Sequence, residues 1–325
     1  MLGAQRLESR LSEGFPSALQ PATPSPNQGA TEMILCFDIG GSRIKAAMAV
    51  GGIVQSLGFA PTPQDDFAAF LRVLAGFAEG QQPWGVAIAI AGVVDPATGA
   101  LRVANIPGAD GKCFAAEVTA ALGLPCVVVN DADAFVLAEI KAGAAVGHRN
   151  VFGVILGTGV GGGLVVDGKL VTGPGGFAGE WGHGPVVDRS LAPHFPCGCG
   201  QVGCLDTVGG ARGIERLHLH LHGQTATSEA ILRDWRDGGQ AACQTVDLWA
   251  AIMAPPLAMI LNTVGASIVP VGGGLANVPD LIARLDTAVR GMILRAGDQP
   301  LVIPAKSGVE PGLIGAAAAG EAAFG

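Results

Sequence analysis

The stretch Ile34-Leu35-Cys36-Phe37-Asp38-Ile39-Gly40-Gly41-Ser42-Arg43-Ile44-Lys45-Ala46-Ala47-Met48-Ala49-Val50 decides how the chain is read. An apolar run, Ile34 to Phe37, meets a glycine turn, and a second apolar run, Ile44 to Val50, returns from it, which is the pattern of two paired strands. The pattern restarts about 117 residues later: Val151 to Leu156 reads as a strand, glycines follow, and Gly163 to Val166 returns as the hairpin partner. A strand, glycine turn, strand unit met twice predicts two related lobes facing one another.

Outward from the first hairpin, a helix near Asp66 to Ala78, a strand Val86 to Ile90, a helix near Ala115 to Leu122 and a strand Val127 to Val129 alternate, as in an α/β sheet. After the second hairpin, the stretch from Gly173 to Gly210 is irregular and rich in Gly, Pro and Cys; a loop of that length is functional or held by a staple. Helices are then expected from Ala211 to about Thr263, a strand over Ser267 to Val271, a helix near Pro279 to Leu294, a short strand Leu301 to Ile303 and a closing helix near Leu313 to Ala323. Residues 1–32, with Pro16, Pro21, Pro24 and Pro26 and no periodicity, read as a disordered extension, and Met33 stands where a start would fall.

Composition limits the function classes. With 325 residues, 49% hydrophobic and 14% charged, the chain can bury a large core, and its length favours two domains. The net charge of −8 and the scattered Lys and Arg offer no stripe for a phosphate backbone, so no nucleic-acid partner is expected. No run approaches the ~18 apolar residues of a membrane span and no basic leader precedes a hydrophobic one, so no membrane partner is expected and the chain reads as cytoplasmic. Glycine is the outlier at 51 residues.

Three glycine turns stand at strand ends. In Asp38 to Arg43, Gly40 and Gly41 let backbone N–H groups approach an anion, Ser42 adds a hydroxyl, and Asp38 is placed to hold a magnesium ion; a plain hairpin turn accounts for the dipeptide equally well taken alone. Leu156-Gly157-Thr158-Gly159-Val160-Gly161-Gly162-Gly163 lacks the Lys-Ser/Thr of a Walker loop and precedes a strand rather than a helix, which disfavours P-loop and dinucleotide readings. Gly272-Gly273-Gly274, between a strand and a helical segment, offers a flat surface and N–H groups to a nucleotide.

Seven cysteines is an odd count, and Cys197, Cys199 and Cys204 fall within eight residues. Three thiolates and one imidazole make a closed tetrahedral set suited to structural zinc. The spacing leaves two candidates for the imidazole, His183 and His194, with His183 slightly ahead. His218, His220 and His222 form another cluster, expected on a solvated helix surface. Asn130-Asp131-Ala132-Asp133 lies just past a strand end at a helix start; the carboxylates could cap the helix, but beside phosphate turns Asp131 reads as a base for an acceptor hydroxyl.

DIGGSRIK (38–45), VNDADA (129–134), LGTGVGGG (156–163), GEWGH (179–183) and CGCGQVGCLD (197–206) together resemble the ROK sugar kinases. APTPQDDFAAFL (60–71) and VANIPGADGK (103–112) resemble the bacterial N-acetylglucosamine kinases among them. The resemblance implies an actin-like ATPase (ribonuclease H-like) α/β fold with two lobes, each built on a mixed sheet: a small lobe over 33–130 closed by a helix over 311–325, and a large lobe over 131–310 with the zinc loop. It implies an ATP- and Mg2+-dependent homodimer that makes N-acetylglucosamine 6-phosphate, with a glucokinase, an N-acetylmannosamine kinase or a non-catalytic sugar sensor as alternatives. A DNA-binding regulator of this family is disfavoured by the short, proline-rich segment ahead of residue 33. Asp131 is implied as the base and Asn130, Glu180 and His183 as ring contacts. His183 is also implied as the zinc ligand with Cys197, Cys199 and Cys204. Asp206 stands where the family has a glutamate that touches the sugar, and Asn105 lies in a pocket loop. Asp38, Gly40, Gly41, Ser42, Gly157, Thr158, Gly159, Gly161 and Gly162 are implied to surround the phosphates and Gly272 to Gly274 the adenosine. The chain departs from the family at Ser42, Arg43, Asp133, Asp206 and Ala89 to Val93.

Overall fold

The computed structural model describes residues 33–295 and 297–325. The extension expected over 1–32 lies outside them.

In chain order the first half holds β1 (Met33–Ile39), β2 (Arg43–Val50), β3 (Ile53–Pro61), α1 (Phe67–Ala78), β4 (Gly85–Ile90), β5 (Val93–Val94), β6 (Leu101–Arg102), α2 (Phe114–Leu122), β7 (Cys126–Asn130) and α3 (Asp131–Ala142). The second holds β8 (Val151–Leu156), β9 (Val160–Val166), β10 (Lys169–Leu170), α4 (Asp206–Gly209), α5 (Ala211–His222), α6 (Ser228–Arg236), α7 (Gln240–Val264), β11 (Val269–Gly272), α8 (Pro279–Arg290), β12 (Val302–Pro304) and α9 (Pro311–Phe324).

Two five-stranded sheets run in the orders β3-β2-β1-β4-β7 and β10-β9-β8-β11-β12. In each, an antiparallel three-strand meander is extended on its first strand by two parallel strands. The recurrence in the sequence is thus a recurrence of whole sheets, in the architecture of an actin-like ATPase fold. The helices exchange sheets: α3 follows β7 yet packs on β8 and β9, and α9 follows β12 yet packs on β1 and β4.

The two faces of the first sheet differ in bulk. Leu35, Phe37, Ile44, Ile88 and Ile90 pack on one side with Phe70 and Leu74 of α1 and Phe114 of α2. On the other, Ile34, Cys36, Ala47, Ala49, Ala87 and Ala89 meet Leu313, Ala316, Ala317 and Ala319 of α9. Small residues on both surfaces let α9 approach closely, and interiors this dense have no room to spare. Gly315 of α9 lies so close to the Ala134 carbonyl of α3 that a methyl group there would overlap it.

The long apolar helix α7 passes a length and composition test for a membrane span, but its Trp249, Met253, Leu257 and Leu261 are buried in the core beside the second sheet. His218 differs from expectation. It is only 6% exposed, and its Nδ1 shares a 2.9 Å hydrogen bond with Thr245 Oγ1 of α7, so its face of α5 is a helix contact rather than a solvated surface. His220, by contrast, is exposed.

The second glycine turn is shorter than the sequence suggests. Only Gly157 to Gly159 form the turn; Gly161, Gly162 and Gly163 are strand residues of β9, paired with Ile155, Val154 and Gly153. Their missing side chains make space. A Cβ on Gly163 would fall 2.6 Å from the Ala132 carbonyl of α3, and one on Gly162 would fall 2.8 Å from Trp181 Cδ1. Another difference is β3, an unforeseen edge strand with Ile53 and Phe59 exposed.

Candidate active site

The ends of β1 and β7, parallel through β4, bring Asp38 and Asp131 to one side of the first sheet. Both line a cavity of about 370 Å³ with Gly272, Gly273, Ser307 and Gly312. A second cavity, of about 630 Å³, is lined by Gly157, Thr158, Arg233, Arg236, Gly274 and Asn277. Asn277 borders both, so the two form one trough along the mouths of the sheets. Gly273, at φ +85°, packs on the Leu156 carbonyl, which joins the second and third glycine turns.

Asp131 is the first residue of α3. Asn130 caps that helix, its Oδ1 accepting from Ala132 N at 2.8 Å while its Nδ2 donates to the Gly92 carbonyl at 3.0 Å. Asp131 Oδ1 accepts from the same amide at 2.9 Å. Asp131 is open to water through the trough, yet protein on its other sides desolvates it; that, opposed by the Ala132 amide and reinforced by the Asp38 and Glu180 charges, raises its pKa. Asp38 is raised too, chiefly by burial, with Lys45 at 3.6 Å pulling it back. Lys45 in turn bonds Glu310 at 2.6 Å, beside the start of α9. A magnesium ion is commonly held by one or two carboxylates plus phosphate oxygens, and Asp38, a carboxylate lining the smaller cavity, fits that description.

The first turn is fixed from β3 and its extension. Thr62 Oγ1 donates to the Gly40 carbonyl at 2.7 Å and Gln64 Nε2 to that of Gly41 at 2.5 Å. Asn105 is brought against the turn: a Cβ on Gly41 would fall 2.7 Å from Asn105 Cβ.

His183, Cys197, Cys199 and Cys204 gather with their ligand atoms all within 4.8 Å. Cys197 Sγ lies 3.6 Å from His183 Nδ1, and Cys199 Sγ 3.6 Å from Cys204 Sγ. Zn–S and Zn–N bonds of about 2.3 and 2.0 Å at tetrahedral angles imply separations of about 3.5–3.8 Å, so the donor set fits zinc. His194 is not part of it; its Nε2 bonds the Val187 carbonyl at 2.6 Å. The His183 Nε2 faces Glu180 at 3.7 Å, as metal-bound imidazoles commonly face a carboxylate. Trp181 Nε1 donates to the Gly161 carbonyl at 2.9 Å, which fastens the Glu180–His183 segment to β9.

Asp206 Oδ1 accepts from Val160 N at 2.8 Å, and its Oδ2 lies 3.9 Å from Cys197 Sγ.

Three groups escaped the sequence reading. Arg233 and Arg236 of α6 line the larger cavity. Glu139 of α3, fully buried, accepts from the amides of Ala144, Lys306 and Ser307 and so holds the loop that lines the smaller one. Nothing in a lone Glu within a helix signals a partner 167 residues away.

Asp133 is 5% exposed, and its Oδ1 has no hydrogen-bond partner among the described residues. Burial first, then the charges of Asp131 and Glu180, push its pKa from 3.8 up to about 7. The folded protein therefore holds a proton that the unfolded chain has lost across this window, so stability falls as pH rises from about 4 to about 7. Asp133→Asn removes that dependence. It is expected to gain about 2–4 kcal/mol over the parent at pH 8 and little at pH 4. Urea unfolding at both pH values measures the gap, and a gap equal at both would refute the assignment.

The ROK family model matches residues 34–322. The N-acetyl-D-glucosamine kinase of Pasteurella multocida strain Pm70 is 32% identical over 295 residues, covering 87% of this chain and 97% of the relative. Among solved structures, a ROK hexokinase from Thermus thermophilus superposes with a TM-score of 0.79 at 29% identity, covering 90% of this chain and 100% of that one. A ROK family glucokinase from Streptomyces griseus, in complex with glucose and AMPPNP, has a TM-score of 0.67 at 28% identity, with 88% and 98% covered.

Proposed function

The chain belongs to the ROK family, and from that premise we propose that it transfers the γ-phosphoryl group of ATP to the 6-hydroxyl of N-acetyl-D-glucosamine. The observation that carries this reading is Asp131, a carboxylate of raised pKa that shares one cavity with Asp38 and the Gly272–Gly273 turn. A base whose pKa moves toward neutrality accepts a hydroxyl proton more readily. Asp131 takes that proton as the sugar oxygen attacks the γ-phosphorus and the bond to the ADP oxygen breaks.

The remaining residues position. The amides around Gly40, Gly41, Ser42, Gly157, Thr158 and Gly159 face the phosphates, with Gly161 and Gly162 behind the turn. Gly272 to Gly274 and the α6 arginines flank the adenosine. Asp38 would hold a magnesium ion arriving with ATP, and that ion would neutralise phosphate charge. Glu180, His183 and Asn105 contact the ring; Asn130, committed to its cap and to Gly92, has one N–H left for a hydroxyl. Residues 33–130 with 311–325 and residues 131–310 are the two lobes that close, in a cytoplasmic homodimer.

A coupled assay of ATP consumption with N-acetylglucosamine, glucose, N-acetylmannosamine and fructose tests the proposal. The highest kcat/KM is expected with N-acetylglucosamine. A preference for glucose, the sugar bound by the Streptomyces griseus relative, would replace the substrate but keep the reaction. Sugar binding without turnover of any of the four would favour a sensor, a reading the Asp133 carboxyl buried beside Asp131 encourages.

A further inference from the structure

Asp206 occupies a position for which the family resemblance implies a sugar contact, but its carboxylate is engaged elsewhere. One oxygen accepts from Val160 N, the amide that leaves the Gly157–Gly159 turn. The carboxylate lies so close to Gly159 that a methyl group there would overlap it. The other oxygen lies 3.9 Å from Cys197 Sγ. The segment after Asp206 continues the grip: Ala211 N donates to the Gly157 carbonyl at 2.8 Å, and Gly210 packs on the Thr158 carbonyl. The segment before it is tied to the thiol cluster, since Asp206 N donates to the Gly182 carbonyl, next to His183, and Gly184 N donates to Cys204 Sγ at 3.4 Å.

We propose that Asp206 is a positioning residue that couples the zinc cluster to the Gly157–Gly159 turn, so that nucleotide affinity depends on zinc through this side chain. Zinc bound by the cluster would fix Cys197 and Cys204 and through them residue 206, whose carboxylate holds Val160 N at the exit of the turn, as groups behind a metal's ligands orient what lies beyond them. What the turn binds rests on the kinase reading; the coupling itself does not.

The test uses zinc-loaded and chelator-stripped protein, metal content measured, as the parent, Asp206→Ala and Asp206→Asn. Calorimetric affinity for AMPPNP and amide hydrogen exchange over residues 157–160 are both read. In zinc-loaded protein Asp206→Ala is expected to weaken AMPPNP about tenfold, the scale of one charge-assisted hydrogen bond, and to expose the Val160 amide. Asparagine keeps an oxygen acceptor, so Asp206→Asn should stay within about threefold of the parent and preserve that protection. Stripping zinc should weaken AMPPNP in the parent but add little in Asp206→Ala, the mark of a shared path. The proposal is overturned if Val160 protection is unchanged in Asp206→Ala, or if zinc loss and this substitution act additively. A parent that binds no AMPPNP would sink the kinase reading, and Val160 exchange would then decide the coupling alone.

Discussion

Asp131→Asn is expected to lower kcat by about 10²–10⁴-fold, the usual worth of a positioned general base, with sugar affinity held within about threefold. The substitution is close to isosteric, and its amide oxygen can still accept from Ala132 N as Asp131 Oδ1 does. The helix start is separately capped by Asn130, so α3 should not move. What disappears is the capacity to take a proton. It also removes one of the charges acting on Asp133, whose carboxyl should then ionise more easily. Steady-state kinetics with calorimetry of sugar binding separates the two effects. A kcat within tenfold of the parent would remove Asp131 from the chemistry.

Stripping zinc, or replacing Cys204 by Ser, is expected to open the loop between β10 and α4. That stretch carries no strand or α-helix among residues 171–205, and only a few of its side chains, Val187, Ala192, Cys204 and Leu205, are buried. A segment with so small a core depends on its staple. A metal present at a thousandfold its Kd contributes about 4 kcal/mol to the state that binds it. Limited proteolysis before and after chelation reads the change: cleavage within 171–205 should appear on stripping and vanish when zinc is restored. Resistance in the stripped protein would mean that the loop stands on its own hydrogen bonds. Because Glu180 and His183 ride on the same loop, sugar affinity should fall together with protease resistance.

What the sequence disclosed was chemistry carried by local pattern. The hairpins at residues 34–50 and 151–166 were visible because apolar runs flank glycine, and the thiol set because three cysteines share eight residues. Space was invisible. Gly161, Gly162 and Gly163 look like turn residues until α3 and Trp181 are seen to need their room. β3 went unread because its residues are largely exposed, without the apolar alternation of a half-buried strand. The choice between His183 and His194 turned on how one irregular loop folds, with His194 bonded to Val187 seven residues back, while the buried place of His218 and the grip of Asp206 on Val160 turned on partners distant in the chain.

The exchange of helices between sheets has a consequence for synthesis. β7 leaves the ribosome some 180 residues before α9, which at ~5–20 residues per second is a wait of roughly 10–35 s. Through that wait the first sheet is complete, and α1 and α2 already cover its bulky face. Its other face stands bare. That face is built largely from alanine rather than leucine or phenylalanine, so the surface left waiting is the one that offers a nascent chain the least apolar area for mispairing.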